Sequence, residues 1–157
     1  MERLHKTVDT EALLETYRTL LQETECLPLV ISGSSMVPFL VDGRDTVFLT
    51  KVDRPIVKGD MVLYKRDCGR YILHRVCRVY PDRFDIVGDA QTQIEKNVRR
   101  DQICALVCRA ERKGKTEKPG TFWWDFFEKI WIRMIALRPF ILRCYTKIST
   151  LAGRNHR

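Results

Sequence analysis

Two separate segments carry the residue types that could together perform nucleophilic chemistry. The first is a serine-rich turn, Ser-Gly-Ser-Ser-Met-Val-Pro, over residues 32–38. Gly33 permits backbone conformations closed to other residues, and Pro38 restricts the backbone that follows, so Ser35 is predicted to lie on a rigid loop. A serine hydroxyl is a weak nucleophile unless a neighbouring base removes its proton. His74, in a predicted strand, is the histidine placed to act as that general base.

The elements that must position these residues are mainly β-strands. Apolar residues at helical spacing predict a helix over residues 9–25, which Pro28 ends. From there the pattern changes to short apolar runs separated by Gly, Asp and Pro, which is typical of strands and tight turns. The predicted strands are residues 29–31, 46–51, 61–66, 71–80, 83–87 and 103–112.

The chain is predicted to divide into four parts. These are an N-terminal helix (1–27), a β domain (28–112), a linker (113–121) and a basic, aromatic helical tail (122–157). Lysine, glycine and proline in the third part indicate a linker. In the tail, residues 122–137 have helical periodicity with aromatic side chains over most of the circumference, and Pro139 kinks or stops that helix.

The excess of positive over negative charge lies in the C-terminal third of the chain. The net charge is +8, and residues 109–157 hold 12 Lys/Arg against 4 Asp/Glu, so the remainder is neutral. A neutral body argues against a nucleic-acid-binding domain. The tail has two open interpretations: packing on the β domain or on a partner, or lying on a membrane surface. In the second, anionic lipid would meet Arg133, Arg138, Arg143, Lys147, Arg154 and Arg157.

Composition and targeting signals predict a globular cytoplasmic protein, with the tail as a route to the membrane surface. Hydrophobic residues make up 45% and charged residues 31%. The longest uncharged stretch, 26–41, has 16 residues, fewer than the ~20 that a spanning helix needs. The acidic N-terminal region does not read as a signal peptide. Six cysteines and three histidines show no metal-ligand spacing, so neither a metal nor a cofactor is predicted.

Four motifs in order resemble the signal peptidase/LexA-like serine peptidases. They are Ser-Gly-x-Ser-Met at 32–36, Lys-Gly-Asp-Met-Val-Leu at 58–63, Ile-Leu-His-Arg-Val at 72–76 and Gly-Asp at 88–89. The resemblance covers roughly residues 29–112. It implies the complex β fold of that superfamily, flanked here by the N-terminal helix and the C-terminal helical tail. It also implies a serine endopeptidase that cleaves an extended or leader peptide, docked as an added strand.

The resemblance also implies roles for individual residues. Ser35 falls at the nucleophile, and His74 matches the base of the endoplasmic-reticulum and archaeal branch, where other branches have lysine. In that branch an aspartate six residues after the Gly-Asp aspartate assists the histidine; Glu95 stands there, while Asp89 matches the Gly-Asp element itself. Both carboxylates are candidates for orienting the imidazole. Because Gly33 replaces a serine common in signal peptidases, the oxyanion hole would consist of backbone N–H groups, including that of Ser35.

Other interpretations of the same residues stay open. Ser35 is also compatible with a turn serine, His74 with a hydrogen-bonded core histidine, and the two carboxylates with turn or surface roles. Lys65 is an alternative base, interpreted here as a surface residue. The alternative functions are a non-catalytic peptide-binding module of the same fold and a self-cleaving regulator.

Overall fold

A computed structural model describes residues 24–144, together with residue 16 and residues 19–21. These residues form a mainly β structure with a short C-terminal helical region. The strands are β1 (Leu27–Val30), β2 (Thr46–Thr50), β3 (Met61–Lys65), β4 (Tyr71–Val79), β5 (Arg83–Val87), β6 (Glu95–Arg99), β7 (Ile103–Arg112) and β8 (Lys115–Glu117).

In the described part of the chain the strands build one antiparallel sheet. Its order is β1-β2-β7-β3-β4-β5-β6, and β8 pairs with β7 beyond this path. The prediction of a mainly β protein is confirmed, and six strands lie where the alternating apolar pattern placed them, within two residues at either end. β3 is buried along almost its whole length. Apolar side chains on both faces of the sheet are therefore part of the core.

Two strands were not predicted, for different reasons. β6 has a single buried residue, Val98, and lies at the end of the strand order, so it shows no apolar alternation. β8 lies within the segment predicted to be a linker. Lys113 and Gly114 have φ values of 51° and 73° and form a two-residue hairpin turn that pairs Arg112 with Lys115. Residues 115–117 of that segment are therefore part of the sheet.

Only a few residues of the predicted N-terminal helix are described. Residues 16 and 19–21 are helical, and Leu21 is buried in the main core cluster. Residues 24 and 25 form a bend, so the helix does not extend to residue 25 as predicted. The other residues of the predicted helix, together with residues 145–157, lie outside the described residues.

The C-terminal region packs on the sheet through its aromatic side chains. Trp124, Phe127 and Trp131 are buried in the main core cluster, and the Phe127 ring centroid lies 4.8 Å from that of Phe39. Gly59 makes this approach possible, because a Cβ atom there would lie 2.7 Å from the backbone oxygen of Glu128. For these residues the packing interpretation describes the structure.

The regular helix predicted over residues 122–137 is broken into short turns. An α-helical turn, α1 (Phe122–Asp125), passes into a π-helical turn (Phe126–Ile130) and two 3₁₀ turns (Trp131–Arg133 and Ile135–Leu137), and residues 138–144 are again helical. The wider and tighter turns change the phase of the helix, and the three large core aromatics all face the sheet. No helix in the described residues is both long and apolar enough to cross a membrane.

Candidate active site

The Ser35 loop leaves the end of β1 and is tied down on both sides of the serine. Gly33 has a φ of 87°, and its N–H donates to Asp42 Oδ1 at 3.0 Å. After the serine, Met36 and Phe39 are buried in the core. The Ser35 carbonyl accepts a hydrogen bond from the N–H of Ala90 at 2.8 Å, so the loop is joined to the turn after β5. These anchors leave the serine itself half-buried.

His74 lies in β4, paired in register with Val62 of β3. Its side chain is buried, with 4% exposed. Burial, reinforced by the nearby positive charge of Arg66, lowers the pKa of His74 to about 4. The imidazole is therefore neutral at physiological pH, which is the protonation state a general base requires.

Ser35 and His74 line the same cleft. The cleft has a volume of about 290 Å³, and its walls include apolar residues of β1, β3 and β4. Gly88 lies between the two residues: a Cβ atom there would be 2.7 Å from the Ser35 carbonyl oxygen and 3.0 Å from His74 Nε2. Nε2 therefore faces the side of the cleft that Ser35 occupies. Among the hydrogen bonds of the described residues, none joins the Ser35 hydroxyl to His74.

A second, more polar cavity lies on the other side of His74. It has a volume of about 550 Å³ and is lined by Arg66, His74, Glu95 and residues 90–94. Arg66, His74 and Gln91 border both cavities. The histidine thus lies between an apolar cleft and a polar one.

Glu95 reaches His74 through the hydroxyl of Tyr64. The Tyr64 hydroxyl donates to Glu95 Oε2 at 2.6 Å and lies 3.5 Å from His74 Nδ1. Arg66 donates to the same carboxylate through Nε and through its terminal nitrogen, at 3.0 and 2.5 Å. Burial raises the pKa of Glu95, but the hydrogen bonds from Arg66 and Tyr64 outweigh it and leave that pKa lowered. Glu95 is therefore an ionised carboxylate one hydroxyl away from the imidazole.

Asp89 is committed to a different partner. Its side chain is fully buried and accepts two hydrogen bonds from Arg75, each of 3.0 Å. The Asp89 backbone carbonyl accepts a hydrogen bond from Trp131 Nε1 at 2.9 Å. The carboxylate acts on His74 only as a nearby negative charge, which favours the protonated imidazole. The structure thus brings Ser35 and His74 to one cleft, places Glu95 in the polar cavity that also borders His74, and places Asp89 in a buried ion pair nearby.

Three arginines support the site, although the sequence analysis assigned none of them to it. Arg66 binds Glu95, and Arg75 binds Asp89 and also donates to the Gly59 carbonyl at 2.8 Å. Arg138 is fully buried and donates to the Gly88 carbonyl at 2.7 Å and to the Gln91 carbonyl at 2.9 Å. The membrane-surface interpretation of the tail does not hold for Arg138, because its guanidinium is buried and donates to backbone carbonyls of the 88–91 turn and of Trp131.

Tyr64 was also missed, because its register relative to His74 is given only by the structure. It stands two residues after Val62 and therefore shares a face of the sheet with His74, the register partner of Val62. Lys65 is on the opposite face of β3, with Nζ over the Tyr71 ring at 5.1 Å from its centroid.

The described residues contain no group of three His, Cys, Asp or Glu side chains that could hold a metal ion. Comparison of the chain with protein-family models, with curated proteins and with solved structures finds no significant match.

Proposed function

We propose that the chain is a serine endopeptidase of the signal peptidase type, with Ser35 as nucleophile and His74 as general base. The observation that carries the proposal is the shared cleft. Ser35 lies on an anchored loop that lines the cleft with His74, and the Ser35 carbonyl oxygen and His74 Nε2 lie 2.7 and 3.0 Å from the position that a Gly88 Cβ atom would take. A base and a hydroxyl brought to one cleft from separate segments are the minimum for nucleophilic catalysis.

The reaction follows the chemistry of a hydroxyl and an imidazole. The Ser35 oxygen attacks a peptide carbonyl while His74 Nε2 takes the hydroxyl proton. The proton passes to the amine as the C–N bond breaks, which leaves an acyl group on Ser35. Water, deprotonated by the same nitrogen, hydrolyses that ester. The N–H of Ser35 donates to no acceptor among the described residues and can stabilise the oxyanion.

The walls of the cleft favour an extended, partly apolar peptide. Leu29, Ile31, Leu63 and Leu73 line it beside the serine. β1 lies at the end of the strand order, and its Val30 side chain is 60% exposed. We propose that the substrate binds beside β1, the terminal strand of the described sheet, as an additional strand.

A fluorophosphonate probe tests the assignment of Ser35 directly. The wild-type protein should be labelled covalently, and Ser35→Ala should lose the label and any cleavage of a library of leader-like peptides. Ser34→Ala is the matched control, because it removes the neighbouring exposed hydroxyl and should keep both activities. Equal labelling of wild type and Ser35→Ala would contradict the proposal.

The second candidate, a non-catalytic peptide-binding module, is favoured by one observation. No hydrogen bond joins Ser35 to His74 in the described part of the chain, and the deep burial of His74 weakens it as a base. This function predicts saturable peptide binding with no labelling of Ser35, and Ser35→Ala would then bind peptide as well as wild type does.

A further inference from the structure

The hydroxyl of Tyr64 is the only group among the described residues within hydrogen-bond distance of both the Glu95 carboxylate and a ring nitrogen of His74. The Tyr64 side chain is fully buried, with its ring centroid 6.2 Å from that of the imidazole. Its oxygen lies 2.6 Å from Glu95 Oε2 and 3.5 Å from His74 Nδ1. No direct hydrogen bond joins Glu95 to His74 in the described residues. The hydrogen-bonded connection from Glu95 to the imidazole therefore passes through this hydroxyl.

The protons of this chain can be assigned from what each group can donate. An ionised carboxylate only accepts, and a tyrosine hydroxyl has one proton. The short contact to Glu95 is charge-assisted and therefore stronger than a neutral hydrogen bond, so the hydroxyl proton points to Glu95. The Tyr64 oxygen then presents a lone pair to His74 Nδ1. Two facing lone pairs would repel, so Nδ1 carries the single ring proton of the neutral imidazole.

We propose that Tyr64 is a positioning residue that holds His74 in the Nδ1–H tautomer and leaves Nε2 as the basic nitrogen on the Ser35 side of the cleft. Nε2 is the ring atom 3.0 Å from the position of a Gly88 Cβ, next to the Ser35 carbonyl. The inference deepens the proposed function and rests on it only for the kinetic consequence. The tautomer itself follows from the hydrogen bonds.

The charged groups around His74 are compatible with this arrangement. Arg66 opposes protonation of the ring, whereas Glu95 and Asp89 favour it. Arg66 also donates to both oxygens of the Glu95 carboxylate and keeps that carboxylate ionised. Glu95 is therefore an acceptor for the Tyr64 hydroxyl at neutral pH, where His74 is also neutral.

Nitrogen NMR of the histidine side chains measures the tautomer without any turnover. In ¹⁵N-labelled full-length protein at neutral pH, the signals of His74 are assigned by their loss in His74→Gln. Wild type and the control Tyr80→Phe, which removes a hydroxyl bound to Asp85 elsewhere, should both show protonated Nδ1 and unprotonated Nε2. Tyr64→Phe should transfer the proton to Nε2 in a measurable fraction of molecules. Protonated Nε2 in the wild type would overturn the inference, and that spectrum decides even if Tyr64→Phe does not fold.

Kinetics test whether Glu95 acts through Tyr64. Tyr64→Phe and Glu95→Gln should each lower kcat by about 10- to 100-fold with little change in KM, less than the ~10²–10⁴-fold loss expected when the base itself is removed. Because the two residues act as one unit, the double variant should be no slower than the slower single variant. Losses that multiply would overturn the assignment. If wild type shows no Ser35-dependent hydrolysis, the proposed function fails, while the NMR result still decides the tautomer.

Discussion

Two arginine–carboxylate pairs flank the histidine, and they differ in exposure. Arg75 and Asp89 are 1% and 0% exposed and bind each other through two hydrogen bonds. Arg66 and Glu95 are each 30% exposed, border the polar cavity, and share their carboxylate with the Tyr64 hydroxyl. The buried pair joins the turn after β5 to the middle of the sheet. The partly exposed pair faces the polar cavity that also borders His74, where the Glu95 carboxylate can influence the imidazole.

The comparison shows that the role of an acidic residue near the site is indicated by the group that its carboxylate binds. Asp89 is the more buried acid, yet its lone pairs are used by a cation that would otherwise be left uncompensated. Glu95 is less buried but lies one hydroxyl from the ring. The predictions that follow test this division between a supporting pair and a functional pair.

Removing one member of the buried pair should have the largest effect. Asp89→Ala leaves the Arg75 guanidinium buried without its counter-charge and should lower the free energy of unfolding by about 3–5 kcal/mol. Urea denaturation measures this. Asp82→Ala, which breaks the exposed pair with Arg83, is the control and should change stability by less than about 1 kcal/mol. Equal effects of the two substitutions would remove the distinction between buried and exposed pairs.

The histidine between the pairs should make stability depend on pH. Its pKa is about 4 in the folded chain against 6.5 for the ordinary side chain, so below pH 6.5 the unfolded state binds a proton that the folded state does not. Stability should therefore fall by about 3 kcal/mol as the pH falls from 6.5 to 4. The measurement is the difference between wild type and His74→Gln in denaturation series across this window. Parallel curves for the two proteins would contradict the lowered pKa.

Arg138 extends the comparison to a buried cation with no carboxylate of its own. Arg138→Met keeps most of the side-chain volume but removes the donors to the Gly88 and Gln91 carbonyls. Because hydrogen bonds to a charged group are involved, we expect a loss of about 1.5–3 kcal/mol. Arg133→Met, at an exposed position of the same region, should be nearly neutral. If Arg138→Met left the free energy of unfolding unchanged, the C-terminal region would not stabilise the 88–91 turn.

The partly exposed pair should affect stability least. Glu95→Gln should cost about 1 kcal/mol or less in urea denaturation, because the ion pair with Arg66 is accessible to solvent. Its effect on peptide hydrolysis should nevertheless exceed that of Glu111→Gln, which breaks an exposed pair with Arg109 in β7. A large loss of stability in Glu95→Gln would mean that this pair too is mainly structural.

Much of the sheet could be predicted because its strands carry their own pattern. The alternating and continuous apolar runs of β2, β3, β4, β5 and β7 were recognisable without tertiary information. β6 was not, because four of its five residues face solvent or the cleft and only Val98 is buried. The helical tail was only partly recognisable, because the need to bury Trp124, Phe127 and Trp131 on the sheet changes the local helix type.

The candidate site divides in the same way. Ser35 stood out because it lies between Gly33 and Pro38 on a restrained loop, and His74 stood out because a histidine is unusual at the centre of a strand. Tyr64 did not, because an aromatic residue in a buried strand is ordinary, and its hydroxyl acquires meaning only from the two groups that it contacts.

Periodicity and residue type are local properties, so the mainly β character of the chain could be predicted from the sequence alone. The same holds for the choice of the Ser35 hydroxyl and the His74 imidazole as candidates. Only the tertiary structure decided how the acids are divided, with Asp89 bound to Arg75 and Glu95 bound to Arg66 and Tyr64. Hydrogen bonds between residues some 14 to 31 positions apart depend on strand register and packing, and no local pattern encodes which cation each carboxylate meets.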